Sequence, residues 1–148
     1  MYAESTRPVY GKALADAMLD ALKTVPGAAL LVSPKIHLAT GSFNPQPTDN
    51  PATYTETTFS GYAADTFTLS GPLNLLSNVD GMVANGMFIA TTATPFVSDN
   101  LTGYYVTDTT GATLYLAEAF AQPIPIARTG DFLDLAIAFP QGLIQPAQ

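Results

Sequence analysis

Two β-prone runs on either side of a tight polar turn constrain this chain most. Gly103 to Thr107 (GYYVT) reads as a strand, Asp108-Thr109-Thr110-Gly111 as a turn, and Thr113 to Phe120 (TLYLAEAF) as the returning strand. A Gly-bearing turn between two alternating runs makes a β-hairpin. Arg128-Thr129-Gly130-Asp131 is a further turn, followed by a strand from Phe132 to Phe139. Side chains alternate across a strand, so Leu133, Leu135, Ile137 and Phe139 face the core and Phe132, Asp134, Ala136 and Ala138 face away. Between these elements, Ile124 to Ala127 (IPIA) is short and interrupted by Pro125.

The chain before the hairpin carries weaker signals of the same kind. Ala28 to Thr40 is β-prone but contains Pro34, which points to an edge strand or a bulge. Asn44 to Thr53 (NPQPTDNPAT) has three prolines and no hydrophobic periodicity, as an exposed extended loop should. Tyr54 to Leu69, rich in Thr and aromatics, holds at least one strand. Gly71 to Gly86 contains turn signals at Gly71-Pro72, Asp80-Gly81 and Asn85-Gly86, and Met87 to Val97 reads as a strand with Pro95 near its end.

One segment has helical period instead. Ala13, Leu14, Ala17, Met18, Ala21, Leu22 and Val25 form one apolar stripe, with Pro8 suited to a first turn and Pro26-Gly27 to a stop. The predicted fold is mainly β: a β-sandwich or open barrel of about seven to nine short antiparallel strands with one N-terminal amphipathic helix. It is organised as a single domain over 1–148, with the helix at about 8–25, the β domain at about 28–140 and an extended tail at 141–148. No repeat of a length that would build a solenoid is evident.

Composition narrows the function classes. Hydrophobic residues make up 47% of the 148 residues and charged ones 11%, against roughly 25% charged in an ordinary soluble domain. So sparse a charge suits a subunit packed into an assembly, because interface cores are depleted in charge. Net charge is −7, and the five cations, Arg7, Lys12, Lys23, Lys35 and Arg128, are scattered. Neither nucleic acid nor an anionic membrane surface is expected as a partner. There is no cysteine, hence no disulfide and no thiol chemistry. The N-terminus lacks the pattern of a signal peptide, and no apolar run approaches the roughly 18 residues of a membrane helix.

Active-site chemistry is hard to find. His37 is the only histidine and sits in an apolar stretch. A triad needs a base oriented by a carboxylate and paired with a nucleophile, and neither Ser42 nor Ser60 lies in a GxSxG context. One His and no Cys make zinc improbable chemistry, and no DxDxDG calcium loop occurs. Asp131 and Asp134 read as turn and surface residues on opposite faces. Asp65, Asp99, Asp108 and Glu118 would have to converge on one cleft for sugar hydrolysis. There is no P-loop and no GxGxxG. The expectation is therefore no catalytic, metal or cofactor-binding residue. Tyr54, Tyr62, Tyr104, Tyr105 and Tyr115 offer amphipathic rings for contact surfaces, including sugars. Adjacent Tyr104 and Tyr105 must point to opposite faces, so one is exposed unless something covers its face.

Taken together, the stretch KIHLATGSFNPQPTDNPATYTETTFSGYA, the hairpin LTGYYVTDTTGATLYLAEAF and the strand TGDFLDLAIAF resemble small structural proteins encoded in tailed-bacteriophage virion gene clusters. The likeness lies in an ExTFxGYA motif, a GYYVxDxxGxxLxxAExF hairpin and a GDxLxLxxxF strand, and spans about Ile36 to Phe139. It implies a capsid cement (decoration) protein on the virion surface, assembled in the host cytoplasm. Such a protein stabilises contacts between major capsid subunits and forms a homo-oligomer, a trimer by preference. The alternative is a tail or fibre part, or a receptor (carbohydrate)-binding module. The resemblance carries no catalytic residue. Expected contact residues are Leu14, Met18, Leu22, Phe43, Tyr54, Tyr104, Tyr105, Leu143 and Ile144.

Overall fold

The computed structural model describes residues 9–10, 34–66, 70–76 and 79–140. Among these are nine strands: β1 (Val9–Tyr10), β2 (Lys35–Thr40), β3 (Thr55–Glu56), β4 (Asp65–Thr66), β5 (Ser70–Leu76), β6 (Val79–Ile89), β7 (Asp99–Thr107), β8 (Leu114–Ile126) and β9 (Phe132–Pro140). The protein is mainly β, and every pairing is antiparallel. The larger sheet has the order β1-β8-β7-β2-β3, with β4 pairing a different part of β2 than β3 does. The smaller sheet has the order β5-β6-β9. Neither order closes into a barrel.

Alternation explains how the two sheets share one core. Ile36 and Leu38 of β2, Val106 of β7 and Leu116 of β8 meet Phe88 of β6 and Leu133, Leu135 and Ile137 of β9 in a single buried cluster. Each such side chain contributes roughly 1.5–3 kcal/mol on burial. β9 buries Leu133, Leu135 and Ile137 of the face expected from its period-2 pattern, and Phe132 and Ala136 point out; Phe139 and Ala138 lie outside the residues whose burial is described. The hairpin of β7 and β8 also forms where the sequence places it.

Other segments differ from expectation, each for a local reason. Val9 and Tyr10 pair with Ala117 and Leu116, so the segment at about 8–25 does not begin as a helix: its second and third residues are β-prone and complete a sheet edge. The rest of that helix, including Leu14, Met18 and Leu22, lies outside the described residues. So do the 141–148 tail and its Leu143 and Ile144. The pairs Gly71-Pro72, Asp80-Gly81 and Asn85-Gly86 are not turns but lie within β5 and β6. Gly86 serves close packing: a Cβ there would stand 3.0 Å from Ile36 Cδ1 and 3.2 Å from Phe88 Cε2. The strand expected over Met87 to Val97 ends at Ile89. Beyond it the Ser60 hydroxyl accepts from Val97 N–H at 2.8 Å, and Ser60 N–H donates to the Val97 carbonyl at 3.0 Å. Those bonds tie the segment to a loop instead of a neighbouring strand. Pro34 precedes β2, which is an interior strand. β8 runs through Pro123 and Pro125 to Ile126. It does so by an irregular register: Gly103 faces Ala119 while Leu101 faces Ile124, two steps on β7 against five on β8.

Candidate functional site

The side of the larger sheet turned away from the shared core holds the densest polar and aromatic chemistry. Lys35, His37 and Ala39 alternate onto this face of β2, and Tyr105 lies directly opposite His37 on β7. The two rings stack, with centroids 4.7 Å apart and planes 5° from parallel. Tyr54 tilts over Tyr105 at 5.2 Å, and Phe43 tilts against Tyr54 at 4.7 Å. The Pro-rich loop between β2 and β3 thus folds back as a lid of two rings. It is held by Asp49, whose carboxylate accepts from Gln46 N–H at 2.8 Å and from the Tyr54 hydroxyl at 3.1 Å. Asn50 caps the 3-10 turn Pro51–Thr53 that sets up β3.

Gly103 is the seat for that lid. A Cβ built on it would fall 2.4 Å from the Phe43 ring and 2.5 Å from the Glu118 carbonyl oxygen. Only glycine lets Phe43 lie on the strand there.

Under the aromatic lid runs a hydrogen-bonded chain. Leu38 N–H donates to the Tyr62 hydroxyl at 3.0 Å, and that hydroxyl donates to Glu56 Oε1 at 2.5 Å. Glu56 Oε1 also lies 2.8 Å from His37 Nδ1, and His37 Nε2 lies 3.0 Å from Thr107 Oγ1. The Thr107 hydroxyl donates to the Asp108 carbonyl at 2.9 Å. Thr57 N–H donates to the Leu38 carbonyl at 3.0 Å. Tyr62 and Thr57 therefore close the gap on the edge of β2 between β4 and β3, so that both backbone groups of Leu38 are satisfied. Burial first, then the hydrogen bond to Glu56, pushes the Tyr62 phenol well above its usual range. Burial first, then the Glu56 charge, does the same for Tyr105. Both phenols stay protonated at any ordinary pH.

Thr107, His37 and Glu56 have the connectivity of a hydroxyl–histidine–carboxylate triad. Their setting does not suit nucleophilic attack. Thr107 is 0% exposed, and a nucleophile has to reach the atom it attacks. The neighbouring open cleft, about 270 Å³, lies between Pro47–Asn50 and Ala112–Leu114, below the roughly 300–1,000 Å³ of usual ligand sites. Asp108 beside it is engaged by its own turn, accepting from Thr110, Ala112 and Thr113. The other acids named from sequence do not converge. Glu118 is buried and accepts from the Tyr104 hydroxyl at 2.6 Å. Asp99 accepts from Thr40 and Thr57, each at 2.6 Å. Asp131 accepts from Ala127 and Arg128 in its turn. Among the described residues, no three His, Asp or Glu side chains gather as a metal site.

Four of the expected contact residues are described. Phe43, Tyr54 and Tyr105 come together in the lid, whereas Tyr104 lies in the shared core. Tyr104 and Tyr105 point to opposite faces, as adjacent strand residues must, and each is only 3% exposed. They therefore pack within the chain and do not present a contact surface, because the lid covers one ring and the second sheet the other. Sequence reasoning missed Glu56 and Thr107 as partners of His37, and Tyr62 as the partner of Glu56. Thr107 faces Lys35 across the β2–β7 ladder, on the side that also carries His37, a register that only the structure shows. No family model matches the sequence, and neither a curated protein nor a solved structure matches it.

Proposed function

We propose that the chain is a structural protein of a tailed-phage virion: a cement protein on the capsid surface that stabilises contacts between major capsid subunits as a homo-oligomer. The observation that carries this reading is the set of sequence motifs shared with small virion proteins. The structure is consistent with it at the same residues. Phe59 and Tyr62 of ETTFSGYA, Tyr104, Tyr105 and Glu118 of the hairpin, and Leu133, Leu135 and Ile137 of the last strand all pack or hydrogen-bond internally. Motifs spent on packing fit a building block better than a catalyst, and we read the protein as non-enzymatic. Two sheets over one core fit the sandwich arrangement. A charged fraction of 11% fits a protein that buries surface in an assembly.

The test is stoichiometry. Quantitative mass spectrometry of purified particles should find this chain in numbers comparable to the major capsid protein. A few copies per particle would move it to the tail or fibre, and absence from washed particles would end the structural reading.

A further inference from the structure

We infer that the edge of β9 with no partner among the described strands is a self-pairing edge, on which a second copy of this chain adds its own β9 antiparallel to form a two-fold dimer. The inference does not rest on the virion reading. It starts from how the sheet edges are finished. An exposed strand edge offers unpaired N–H and C=O groups to any other strand, and proteins guard against this with short strands, Pro, Lys or bulges. Among the described residues, β1, β3 and β4 are two residues long. β5 carries Pro72 and two register shifts. β9 has none of these guards along its length. It runs nine residues, FLDLAIAFP, with no Lys or Arg and with Pro only at its last position. Its ladder with β6 is unbroken from Phe132–Ile89 to Pro140–Gly81. No described strand pairs with its other side.

The sequence of β9 is also suited to pair with itself. Full antiparallel overlap of nine residues centres on Ala136. Phe132 then faces Pro140, Asp134 faces Ala138 and Leu135 faces Ile137 of the second copy. Opposite residues share a face, so the core-facing set stays core-facing across the junction. The strand has one charge, Asp134, and this register sets the two copies of it apart. Like charges directly opposite would destabilise the pair; only a register centred on Asp134 would create that clash. Pairing joins the two β5-β6-β9 sheets into one of six strands and brings together their outward faces, where Met87, Ile89 and Phe132 are exposed.

The chain has no cysteine, which makes the register directly testable. In the full-length protein, Ala136→Cys puts two thiols opposite each other across the two-fold, about 4.5–5.5 Å apart at Cα, within reach of a disulfide. Mild oxidation should yield a cross-linked dimer in high proportion, and Asp134→Cys should yield little. Ala136→Lys sets two ammonium groups opposite at an exposed position. It should weaken the dimer at least about tenfold by sedimentation while leaving the far-UV spectrum unchanged. Asn85→Lys, on the same outward face but on the central strand β6, should leave the dimer intact. A wild-type chain that is monomeric at all concentrations overturns the proposal, as does a trimer insensitive to Ala136→Lys. Equal cross-linking from positions 134 and 136 overturns it too.

Discussion

Among the residues whose burial is described, the larger sheet buries side chains on both of its faces, whereas the smaller one buries only those on its inner face. On the larger sheet, Ile36, Leu38 and Val106 fill the shared core, while His37, Ala39, Tyr105 and Ala117 are buried on the other side. The smaller sheet sends Leu133, Leu135 and Ile137 into the core but leaves Met87, Ile89 and Phe132 at 58%, 47% and 43% exposure. The chain invests a Pro-rich loop, two aromatic rings and a buried polar chain in covering the first outer face. Within the described residues nothing comparable covers the second. A sheet covered on both sides is a framework; a sheet left apolar and open on one side is a surface available to another molecule.

The largest test of this contrast compares two aromatic truncations. Tyr105→Ala removes a ring that stacks on His37 and supports Tyr54, and should cost about 3–5 kcal/mol, as for a core aromatic. Phe132→Ala removes an exposed ring and should cost less than about 1 kcal/mol in the monomer. Urea unfolding at low protein concentration measures both. Equal losses would mean that the two outer faces are not different in kind.

A smaller effect probes the polar chain under the lid. Thr107→Val keeps the shape of the side chain and removes its hydroxyl. The buried His37 Nε2 loses its partner at 3.0 Å, and the expected cost is about 1–3 kcal/mol for a stranded buried polar group. The variant should retain its β spectrum, since Thr107 N–H and C=O are unchanged. If stability is unaltered, the chain from Leu38 to Asp108 contributes nothing to the framework and the aromatic lid alone covers that face.

How much of this was legible in the sequence depends on the range of the interaction involved. The hairpin of β7 and β8 and the two faces of β9 follow from alternation and turn residues, which act between near neighbours. The opposite orientation of Tyr104 and Tyr105 was equally plain. That both would be buried was not, because Tyr105 is covered by Tyr54 and Phe43, distant in sequence, and Tyr104 by the second sheet. Gly81 and Gly86 resemble turn residues by composition, yet both sit in β6, and at Gly86 the other sheet's Ile36 packs closely. His37 could be identified as an oddity but not interpreted, since its partners Glu56 and Thr107 arrive from β3 and β7. The irregular passage of β8 through Pro123 and Pro125 is likewise a tertiary outcome, set by its register against Leu101 and Gly103.

The smallest expected effect is a pH dependence confined to one side of the comparison. Burial alone would raise the Asp99 carboxyl. The hydroxyls of Thr40 and Thr57 and the amides of Asn100 and Thr58 outweigh that and hold it below the usual carboxylate range. An unfolded Asp titrates near about 3.9. Because the folded value is lower, the carboxylate contributes its stability fully above about pH 4 and loses it as pH falls through the folded value. Its donors come from β2 and from the segment after β3, so acid should loosen the β2–β3–β7 margin of the larger sheet. The β6–β9 ladder contains Asp134 but no bond to Asp99, and it should keep its amide protection through the same range. Asp99→Asn should therefore flatten the acid limb of the urea midpoint against pH, with the gap between wild type and variant closing as pH drops. Hydrogen exchange in acid locates the effect: protection lost first around Thr57 supports the assignment. Simultaneous loss across β6 and β9 would show that the two sheets respond as one cooperative unit, and that the contrast between them is confined to their outer faces.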